Sequence, residues 1–440
     1  MKRSLLLLSL LLCSLTLFAD QPFRNHRYDS FRMLPVKENS IVFIGNSITN
    51  MHEWWEAFGC NPNIINRGVS GALSHEALAN IESVVAGKPA KVFLMLGTND
   101  LGTNGLNSPE QVMKNVSMIV DCFQSESPRT QLYIQSILPS KNGLRTLAVE
   151  KETNRALAAL CAEKKITYID LWDDLLPVAD HIHSLDGLHL LASGYEIWCR
   201  KIQQYVGSHS IYPADTQSRQ YAGGAAGSWG MRNTYFSMYP VKNTDILLIG
   251  DEMIHGGEWH ELLQSDRVKN RGTGWGYPGP DLDHTLKALP AILHDAAPVK
   301  ICLYAGVADV NDAKTNLNAV FMKYMTVVDQ IKALAPHTKV YVMGLQPTSD
   351  AKLNRRVASF NAKLKSVFHV EYIDLYTDFC LNGVGNAAYF NGNYLCGMGY
   401  IRVAQKIAAA LNEKDVKAFS ESEATKIYQR CMERSARVKE

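Results

Sequence analysis

The sequence predicts an α/β protein made of two copies of one domain, each with a parallel sheet that helices cover on both faces. The chain has 440 residues, of which 46% are hydrophobic, so it can bury the cores of two or three domains. Short, wholly apolar runs alternate with helical stretches, which is typical of buried parallel strands joined by crossover helices. Short sequence features also recur in the same order about 205 positions later.

The first copy contains five apolar runs that we interpret as strands. They are Ile41–Ile44, Ile64–Ile65, Val92–Leu96, Leu132–Ile137 and Thr167–Ile169. Helical patterns lie between them, for example Pro109–Phe123 and Lys151–Lys164. Because the strands are apolar on both faces, we expect each sheet to be the middle layer of three.

The recurring features locate the second copy. Asn66-Arg67-Gly68 returns as Asn270-Arg271-Gly272, and Gly194-Tyr195 returns as Gly399-Tyr400. A Gly-rich stretch without a periodic pattern separates the copies, as a linker would. We therefore expect a first domain at residues 20–206, a linker at 207–230 and a second domain at 231–440. The last 30 residues predict a charged, solvated helix.

The first 19 residues predict export. Lys2 and Arg3 precede the short apolar run Leu5–Leu12, and Phe18-Ala19 offers a small-residue cleavage point. We interpret residues 1–19 as a secretory signal peptide, so that the mature protein would be periplasmic or extracellular. A lipoprotein anchor at Cys13 is disfavoured because Leu12 before it is too large for such a site.

Charge and hydropathy disfavour two classes of partner. The 45 Lys and Arg nearly balance the 43 Asp and Glu, and no polybasic tract is present, so we expect no nucleic-acid partner. No later segment has 18 consecutive apolar residues, so we expect no stable membrane insertion. The oligomeric state is left open.

The cysteines predict neither a disulfide framework nor a zinc site. Nine are present, eight of them after the predicted signal peptide, and none forms a Cys-x-x-Cys pair. We expect most of them to be buried apolar thiols, even though an exported protein can form disulfides. Cys380 and Cys396 are left as one possible pair.

Four polar motifs of the first copy follow predicted strands or precede the last helix of that copy. They are Gly45-Asn46-Ser47, Asn66–Gly71, Gly97–Asp100 and Asp186–His189. The carboxyl ends of parallel strands form one edge of a sheet, where open α/β proteins place their sites. The order of the motifs therefore predicts that they meet in one site.

The residue types in these motifs suit acyl transfer. A serine such as Ser47 is a weak nucleophile near neutral pH and needs a base, which His189 can supply. Asp186 can hold the other ring nitrogen of that histidine. Attack on an ester creates an oxyanion, for which the Ser47 amide, the Gly71 amide and the Asn99 side chain are candidate donors.

With these motifs the first copy resembles the SGNH (GDSL-type) esterases and acetylhydrolases over residues 25–205. The family's signature Ser, Gly, Asn and His match Ser47, Gly71, Asn99 and His189, and Asp186 matches the triad acid. The resemblance implies a flavodoxin-like α/β/α sandwich and a mechanism that needs no cofactor or metal. The residues around Ser47, Gly71 and Asn99 are similar to those in the branch of platelet-activating-factor-type acetylhydrolases and bacterial sialate O-acetylesterases. Asn46 departs from the family's usual Asp, at a position beside the nucleophile.

Two further residues are candidate substrate contacts. Trp54 either packs inward on an amphipathic helix or lines the substrate pocket. Arg67 either binds a substrate carboxylate, such as that of sialic acid, or forms a structural ion pair. Its counterpart Arg271 in the second copy favours the structural role.

The second copy has changed at every proposed catalytic position. The correspondences are Ser47 with Glu252, Gly71 with Trp275, Asn99 with Ala308, Asp186 with Asn391 and His189 with Tyr394. A phenol, with a pKa of about 10, is a poor base near pH 7, and alanine donates no side-chain hydrogen bond. We therefore predict a second domain that has the SGNH fold and no activity.

The sequence thus predicts a secreted carboxylic-ester hydrolase that acts on a small-molecule or glycan ester. It would remove short acyl groups, with O-acetyl favoured, from a carbohydrate such as sialic acid through an acyl-serine intermediate. Two alternatives are an acetylhydrolase of a phospholipid-like ester and a non-catalytic glycan-binding protein.

Overall fold

The computed structural model describes residues 24–102, 108–212, 230–274, 279–294 and 297–437. The predicted signal peptide, most of the predicted linker and Trp275 lie outside the described residues. Within these ranges the chain forms two five-stranded sheets and two small antiparallel hairpins.

The secondary structure alternates strands and helices in both halves of the chain. The strands are β1 (Ile41–Gly45), β2 (Ile64–Gly68), β3 (Lys91–Met95), β4 (Gln131–Gln135), β5 (Thr167–Ile169), β6 (Ile246–Gly250), β7 (Val268–Gly272), β8 (Lys300–Tyr304), β9 (Lys339–Met343), β10 (Tyr372–Ile373), β11 (Cys380–Leu381), β12 (Val384–Gly385), β13 (Phe390–Asn391) and β14 (Tyr394–Leu395). The helices of the first half are α1 (24–33), α2 (Ser47–Asn50), α3 (Trp54–Ala57), α4 (Ser74–Ala79), α5 (Glu82–Val85), α6 (Thr98–Gly102), α7 (Pro109–Glu126), α8 (Leu147–Lys164), α9 (Trp172–Leu175), α10 (Ala179–Ile182) and α11 (Ala192–Val206). Those of the second half are α12 (Met231–Phe236), α13 (Glu252–His255), α14 (Trp259–Leu262), α15 (Leu282–Ile292), α16 (Val307–Asn311), α17 (Leu317–Leu334), α18 (Ala351–Phe368), α19 (Gly397–Leu411) and α20 (Glu421–Arg437).

The first sheet has the strand order β2-β1-β3-β4-β5, and all four pairings are parallel. This is the order of flavodoxin-like folds. Gly45 at the end of β1 pairs with Gly68 on one side and Met95 on the other. The ends of these three strands are therefore level, and the loops that follow them leave from the same edge of the sheet.

The second sheet repeats this arrangement with the order β7-β6-β8-β9-β10, again all parallel. Gly250 pairs with Gly272 and Tyr304, as Gly45 pairs in the first sheet. The predicted α/β class with parallel sheets is thus confirmed. The shared strand order is what a duplicated domain requires, although the duplication itself stays a prediction.

Helices cover both faces of the first sheet because alternate side chains of its strands point in opposite directions. Val42 and Ile44 pack in one core with α7 and α8. Phe43 lies in the other core with Trp54 of α3 and Trp198 of α11. That second core continues into the strands of the second sheet, so the two halves share one hydrophobic interior.

The leading helix of each half packs against the other half. From α1, Arg27 donates to the Gly256 carbonyl at 2.7 Å and to Glu258 at 2.7 Å, both in the second half. From α12, Arg232 makes the corresponding two contacts with the first half. The two halves are therefore interlocked by exchanged helices.

Two bidentate ion pairs join the halves in a nearly symmetric way. Arg67 binds Glu261 through two bonds of 2.8 Å, and Arg271 binds Glu56 through bonds of 2.7 and 2.8 Å. Each pair places an arginine from the end of an equivalent strand, β2 or β7, opposite a glutamate from the other half. The contact has the self-complementary pattern of a two-fold dimer interface, although both partners belong to one chain.

The described cysteines and the C-terminal helix differ in part from the sequence-based expectations. Cys380 and Cys396 are free thiols, as are the other six cysteines at described positions, so the possible disulfide is not formed. Helix α20 is not wholly solvated, because Ala424 and Cys431 are buried and the helix packs against α19 and α5. Among the described residues, no helix is long and apolar enough to cross a membrane.

Candidate active site

Ser47 is the first residue of the short helix α2, immediately after the buried strand β1. Asn46 caps this helix, because its side-chain oxygen accepts a hydrogen bond from the Ile48 amide at 3.0 Å. A side chain at Gly45 would collide with Thr49 and with the Met95 carbonyl. The tight strand-to-helix turn therefore needs this glycine, and it places Ser47 at the carboxyl edge of the sheet.

The three residues predicted as a triad form one hydrogen-bonded chain. The Nε2 atom of His189 lies 2.8 Å from Ser47 Oγ, and its Nδ1 atom lies 2.6 Å from Asp186 Oδ2. A carboxylate beside Nδ1 favours the tautomer with the proton on that nitrogen. Nε2 is then free to accept the proton of the serine hydroxyl.

Asp186 is held by more donors than His189 alone. Its Oδ1 atom accepts from the Ser184 hydroxyl at 2.7 Å and from the amides of Leu188 and His189 at 2.9 Å each. Burial by itself would raise the pKa of Asp186. The bonds from the His189 imidazole and amide and from the Ser184 hydroxyl outweigh burial and hold this pKa well below its ordinary value. Asp186 is therefore a carboxylate at any pH at which the protein would work.

The loop that carries Asp186 and His189 is fixed at several points. Gly187 adopts a left-handed conformation with φ of 67°, and its carbonyl accepts from the Lys141 amide at 2.7 Å. The Ser184 amide donates to the His189 carbonyl at 2.8 Å and closes the loop. These bonds fix the position of the His189 backbone.

The candidate oxyanion donors come from the loops after three neighbouring strands. The Ser47 amide opens α2, where the helix itself supplies no acceptor. Gly71 follows β2 with φ of +78°, a conformation that strongly favours glycine. Asn99 lies in α6 after β3, and its side-chain nitrogen donates to the Ala72 carbonyl at 3.0 Å. An amide nitrogen carries two hydrogens, so Asn99 keeps one for a ligand.

A family model supports the chemistry that this geometry suggests. Residues 43–197 match the GDSL-like lipase/acylhydrolase family, and this range includes the triad and the three candidate oxyanion donors. This segment belongs to that family. The match supports an ester hydrolase, and the matched segment lies within the first half of the chain.

Solved structures are similar to part of the chain. A platelet-activating-factor protein of Streptococcus pneumoniae is 25% identical, covers 45% of this chain and 98% of its own, and has a TM-score of 0.40. A carbohydrate esterase family 3 protein of Talaromyces cellulolyticus is 18% identical, with 38% and 96% covered and a TM-score of 0.34. An acetylxylan esterase of Geobacillus stearothermophilus is 16% identical, with 39% and 95% covered and a TM-score of 0.34. No curated protein matches the chain.

Asn66 supports the segment that begins with Ser47, a role that the sequence reasoning missed. Its side-chain nitrogen donates to three carbonyls at and beyond the end of α2, those of Thr49, Asn50 and His52, at 3.1–3.2 Å. The recurrence of Asn66 as Asn270 was the available signal, because Asn270 holds the end of α13 in the same manner. Because the equivalent asparagine makes equivalent contacts in the half without a triad, the role of Asn66 is structural.

Asp100 is a second supporting residue within a motif that was singled out for chemistry. Its carboxylate accepts from the Ser74 amide at 3.0 Å and from the Ser74 hydroxyl at 2.6 Å, and Asn115 donates to that hydroxyl at 2.8 Å. Burial raises the pKa of Asp100, and the bonds from Ser74 oppose that shift. The network fixes the start of α4, three residues after Gly71, and so supports the oxyanion loop.

The two predicted substrate contacts need correction. The Trp54 side chain is buried, stacks on Phe43 with a centroid distance of 4.3 Å and donates to the Thr49 carbonyl at 2.8 Å. Arg67 is 3% exposed, and both of its terminal nitrogens bind Glu261. Trp54 is therefore a core residue and Arg67 an interface residue, and neither is available to a substrate in this arrangement.

The equivalent edge of the second sheet carries different side chains. Glu252 opens α13, where Ser47 opens α2, and Ala308 lies in α16, where Asn99 lies in α6. Burial, followed by the neighbouring Asp251, raises the pKa of Glu252 to about 8. The hairpin of β13 and β14, with Asn391 and Tyr394, takes the place of the loop with Asp186 and His189. Among the described residues, no second serine–histidine–aspartate chain is present at this edge.

Proposed function

We propose that the protein is a serine esterase that removes short acyl groups, with O-acetyl preferred, from a carbohydrate such as sialic acid. The observation that carries this proposal is the continuous chain from Ser47 Oγ through His189 to Asp186, with distances of 2.8 and 2.6 Å. The reaction would take place in the first half, and the second half would be catalytically inactive. Export through residues 1–19, which lie outside the described residues, belongs to the same proposal.

In the proposed reaction, His189 takes the proton of Ser47 as the serine oxygen attacks the ester carbonyl. The negative charge that develops on the carbonyl oxygen is stabilised by the Ser47 and Gly71 amides and by the Asn99 side chain. Asp186 stabilises the imidazolium and keeps its ring in position. His189 then gives the proton to the departing sugar oxygen, which leaves as a hydroxyl. Later the same histidine activates a water molecule that releases the acid from the acyl-serine.

Three apolar side chains pack together from the two segments that carry Ser47 and His189 and from α12. Met51, Leu191 and Met231 form one buried cluster. Met51 lies one helical turn after Ser47, and Leu191 lies two residues after His189. The cluster therefore packs these two segments against each other and against α12, and the comparison of substrates below tests the preference for a short acyl group.

The deciding experiment measures acetate release by the full chain and by two matched variants, Ser47→Ala and Glu252→Ala. The substrates are p-nitrophenyl acetate, O-acetylated sialic acid and an acetylated ether phospholipid. We expect turnover of the sugar ester, loss of that turnover in Ser47→Ala and retention of it in Glu252→Ala. Preference for the phospholipid would replace the carbohydrate with a lipid substrate. Activity that survives Ser47→Ala would refute the proposed nucleophile.

Glycan binding without turnover is a second candidate, and one observation favours it. A cavity of about 400 Å³ lies at the seam between the halves, lined mainly by polar side chains, among them Asp29, Arg32, Asn80 and Asn391. Amide, guanidinium and carboxylate groups suit the hydroxyls of a sugar. Calorimetric titration with sialic acid would separate the two candidates. Glycan binding is favoured if the protein binds sialic acid, if Asn391→Ala weakens that binding, and if the protein hydrolyses no ester.

A further inference from the structure

Helix α12, which follows the predicted linker, contacts the segment that carries the nucleophile. Arg232 Nη1 and the Tyr235 hydroxyl both donate to the Met51 carbonyl, at 2.8 and 2.7 Å. The Met51 amide in turn donates to the Ser47 carbonyl at 2.9 Å. Arg232 is 1% exposed and also binds Glu53 at 2.6 Å, so its guanidinium is fixed from two sides.

The same helix contacts the segment that carries the base. The Thr234 hydroxyl accepts a hydrogen bond from the Ala192 amide at 3.0 Å, three residues after His189. That hydroxyl donates its own proton to the Met231 carbonyl at 2.6 Å, which orients it to accept from Ala192. One short helix therefore bonds to both segments whose separation determines the distance between Ser47 and His189.

We propose that Arg232 and Thr234 are positioning residues for the ester hydrolysis assigned above, and that α12 is an obligatory part of the active site of the first half. The proposal rests on that proposed function. Neither residue touches a reacting atom. Arg232 holds the end of the nucleophile helix, Thr234 holds the start of α11 behind the base, and the six-residue helix sets one relative to the other. A catalytic unit that ended at residue 206 would lack this element.

The second half contains the equivalent contact, although it lacks the triad. On α1, Asp29 accepts from the Gly397 amide at 2.7 Å, as Thr234 does from Ala192. Gly397 opens α19, the counterpart of α11. Helix exchange therefore exists also where no triad is present. The exchange belongs to the scaffold, and the active site of the first half depends on it.

The test uses the full chain with Thr234→Val, Thr234→Ser and Arg232→Lys. Thr153→Val is the control for loss of a buried hydroxyl, because Thr153 donates to the Val149 carbonyl at 2.8 Å on α8. Arg356→Lys is the control for loss of a guanidinium that donates to backbone carbonyls, because Arg356 donates to the Val310 and Thr315 carbonyls at 2.9 Å each, within the second half. All five variants are compared by circular dichroism at the assay temperature, so that only folded protein is assayed.

We expect Thr234→Val and Arg232→Lys to lower kcat by about 10- to 100-fold with little change in KM, since a displacement of about 1 Å has effects of this size. Thr234→Ser should keep the wild-type kcat, and so should both controls. A wild-type kcat in one of the two test variants would remove that residue from the proposal, and in both it would overturn the proposal. A merely structural role would lower the melting temperature of test and control variants alike and leave kcat unchanged.

A second readout separates this inference from the proposed function. The proton shared by His189 and Asp186 should give a downfield proton resonance, which can be observed without any turnover. We expect Thr234→Val to shift or broaden that resonance and Thr153→Val to leave it in place. If wild-type protein hydrolyses none of the esters, the proposed function fails while this measurement still decides the positioning role. An unchanged resonance in Thr234→Val would contradict that role.

Discussion

Strands β1 and β6 occupy the same place in their sheets and end in the same residue type, but the helices that follow begin with Ser47 in one half and Glu252 in the other. The surroundings of these two residues are otherwise alike. Asn66 and Asn270 hold the ends of the two short helices, and Asp100 and Asp309 accept from the amides that open α4 and α15, respectively. The halves therefore share the groups that shape the edge of the sheet.

At this edge the halves differ in the groups that would react and in the hairpin of β13 and β14, which replaces the loop of Asp186 and His189. A nucleophile, a base and an amide donor in the first half correspond to a carboxyl, a phenol and a methyl group in the second. This contrast shows that the scaffold does not require the triad, because the second half folds in the same way without it. Substitutions at the triad should therefore change activity far more than stability, and substitutions at the shared contacts should do the reverse.

The largest expected effect is at Asp186. Replacing Asp186 with Asn should lower kcat by about 10⁴-fold, because the amide favours the wrong imidazole tautomer for accepting the Ser47 proton. The measurement is a kcat comparison on the best ester, with Asn391→Ala as the matched change in the second half. Equal losses in the two variants would mean that the second half takes part in the reaction.

The next largest effect is at the ion pair between the halves. Glu56 and Arg271 are both fully buried, so Glu56→Gln leaves an arginine charge that is only partly compensated, at a cost of about 3–5 kcal/mol in the free energy of unfolding. Glu261→Gln, at the more accessible pair with Arg67, should cost less. Urea unfolding followed by circular dichroism measures both.

The control for these two variants is Glu38→Gln. Glu38 pairs with Arg129 on the surface at 3.6 Å, and the loss of such a pair costs less than about 1 kcal/mol. A similar small cost for Glu56→Gln would show that the buried pair adds nothing beyond an exposed one.

The smallest expected effect is at Glu252. Its pKa is raised to about 8, so the folded state keeps a proton that the unfolded chain has released above its ordinary value near 4.5. The unfolded state binds fewer protons between these values, so stability falls as pH rises, by about 1.4 kcal/mol per pH unit. Glu252→Gln should make the fall in stability between pH 5 and 7 less steep in thermal or urea unfolding, while Glu53, whose pKa burial raises to about 7, keeps its own contribution. A slope that is the same in wild type and Glu252→Gln would show that Glu252 does not keep its proton in the folded state.

Much of the fold was predictable because local patterns determine it. The apolar runs predicted as strands lie in the observed strands, and the ends differ by a few residues at most, as for Leu132–Ile137 against β4. The apolar run of β1 also predicted that Ser47 follows the end of a parallel strand. The partly buried C-terminal helix was not predictable, because it packs against α5, more than 300 positions earlier in the chain, as well as against α19.

The residues of the candidate site were also predictable only in part. Ser47, Asp186 and His189 were candidates because each stands in a short motif beside a strand or helix, and the structure places their side chains in one hydrogen-bonded chain. Arg67 was ambiguous, because the sequence does not show that Glu261 lies opposite it. Arg232 and Thr234 gave no signal, since they follow the linker and approach the triad only through the exchanged helix. Contacts between the halves depend on docking, which no local pattern encodes.

The exchanged helices and paired arginines join two halves of a single chain, and this has a consequence for behaviour in dilute solution. A two-fold interface between separate chains dissociates as the protein is diluted below its dissociation constant, and any site that needs both partners is lost with it. When one chain supplies both partners, the contact is governed by an effective concentration that the tether fixes. The activity per molecule should therefore be the same at every protein concentration.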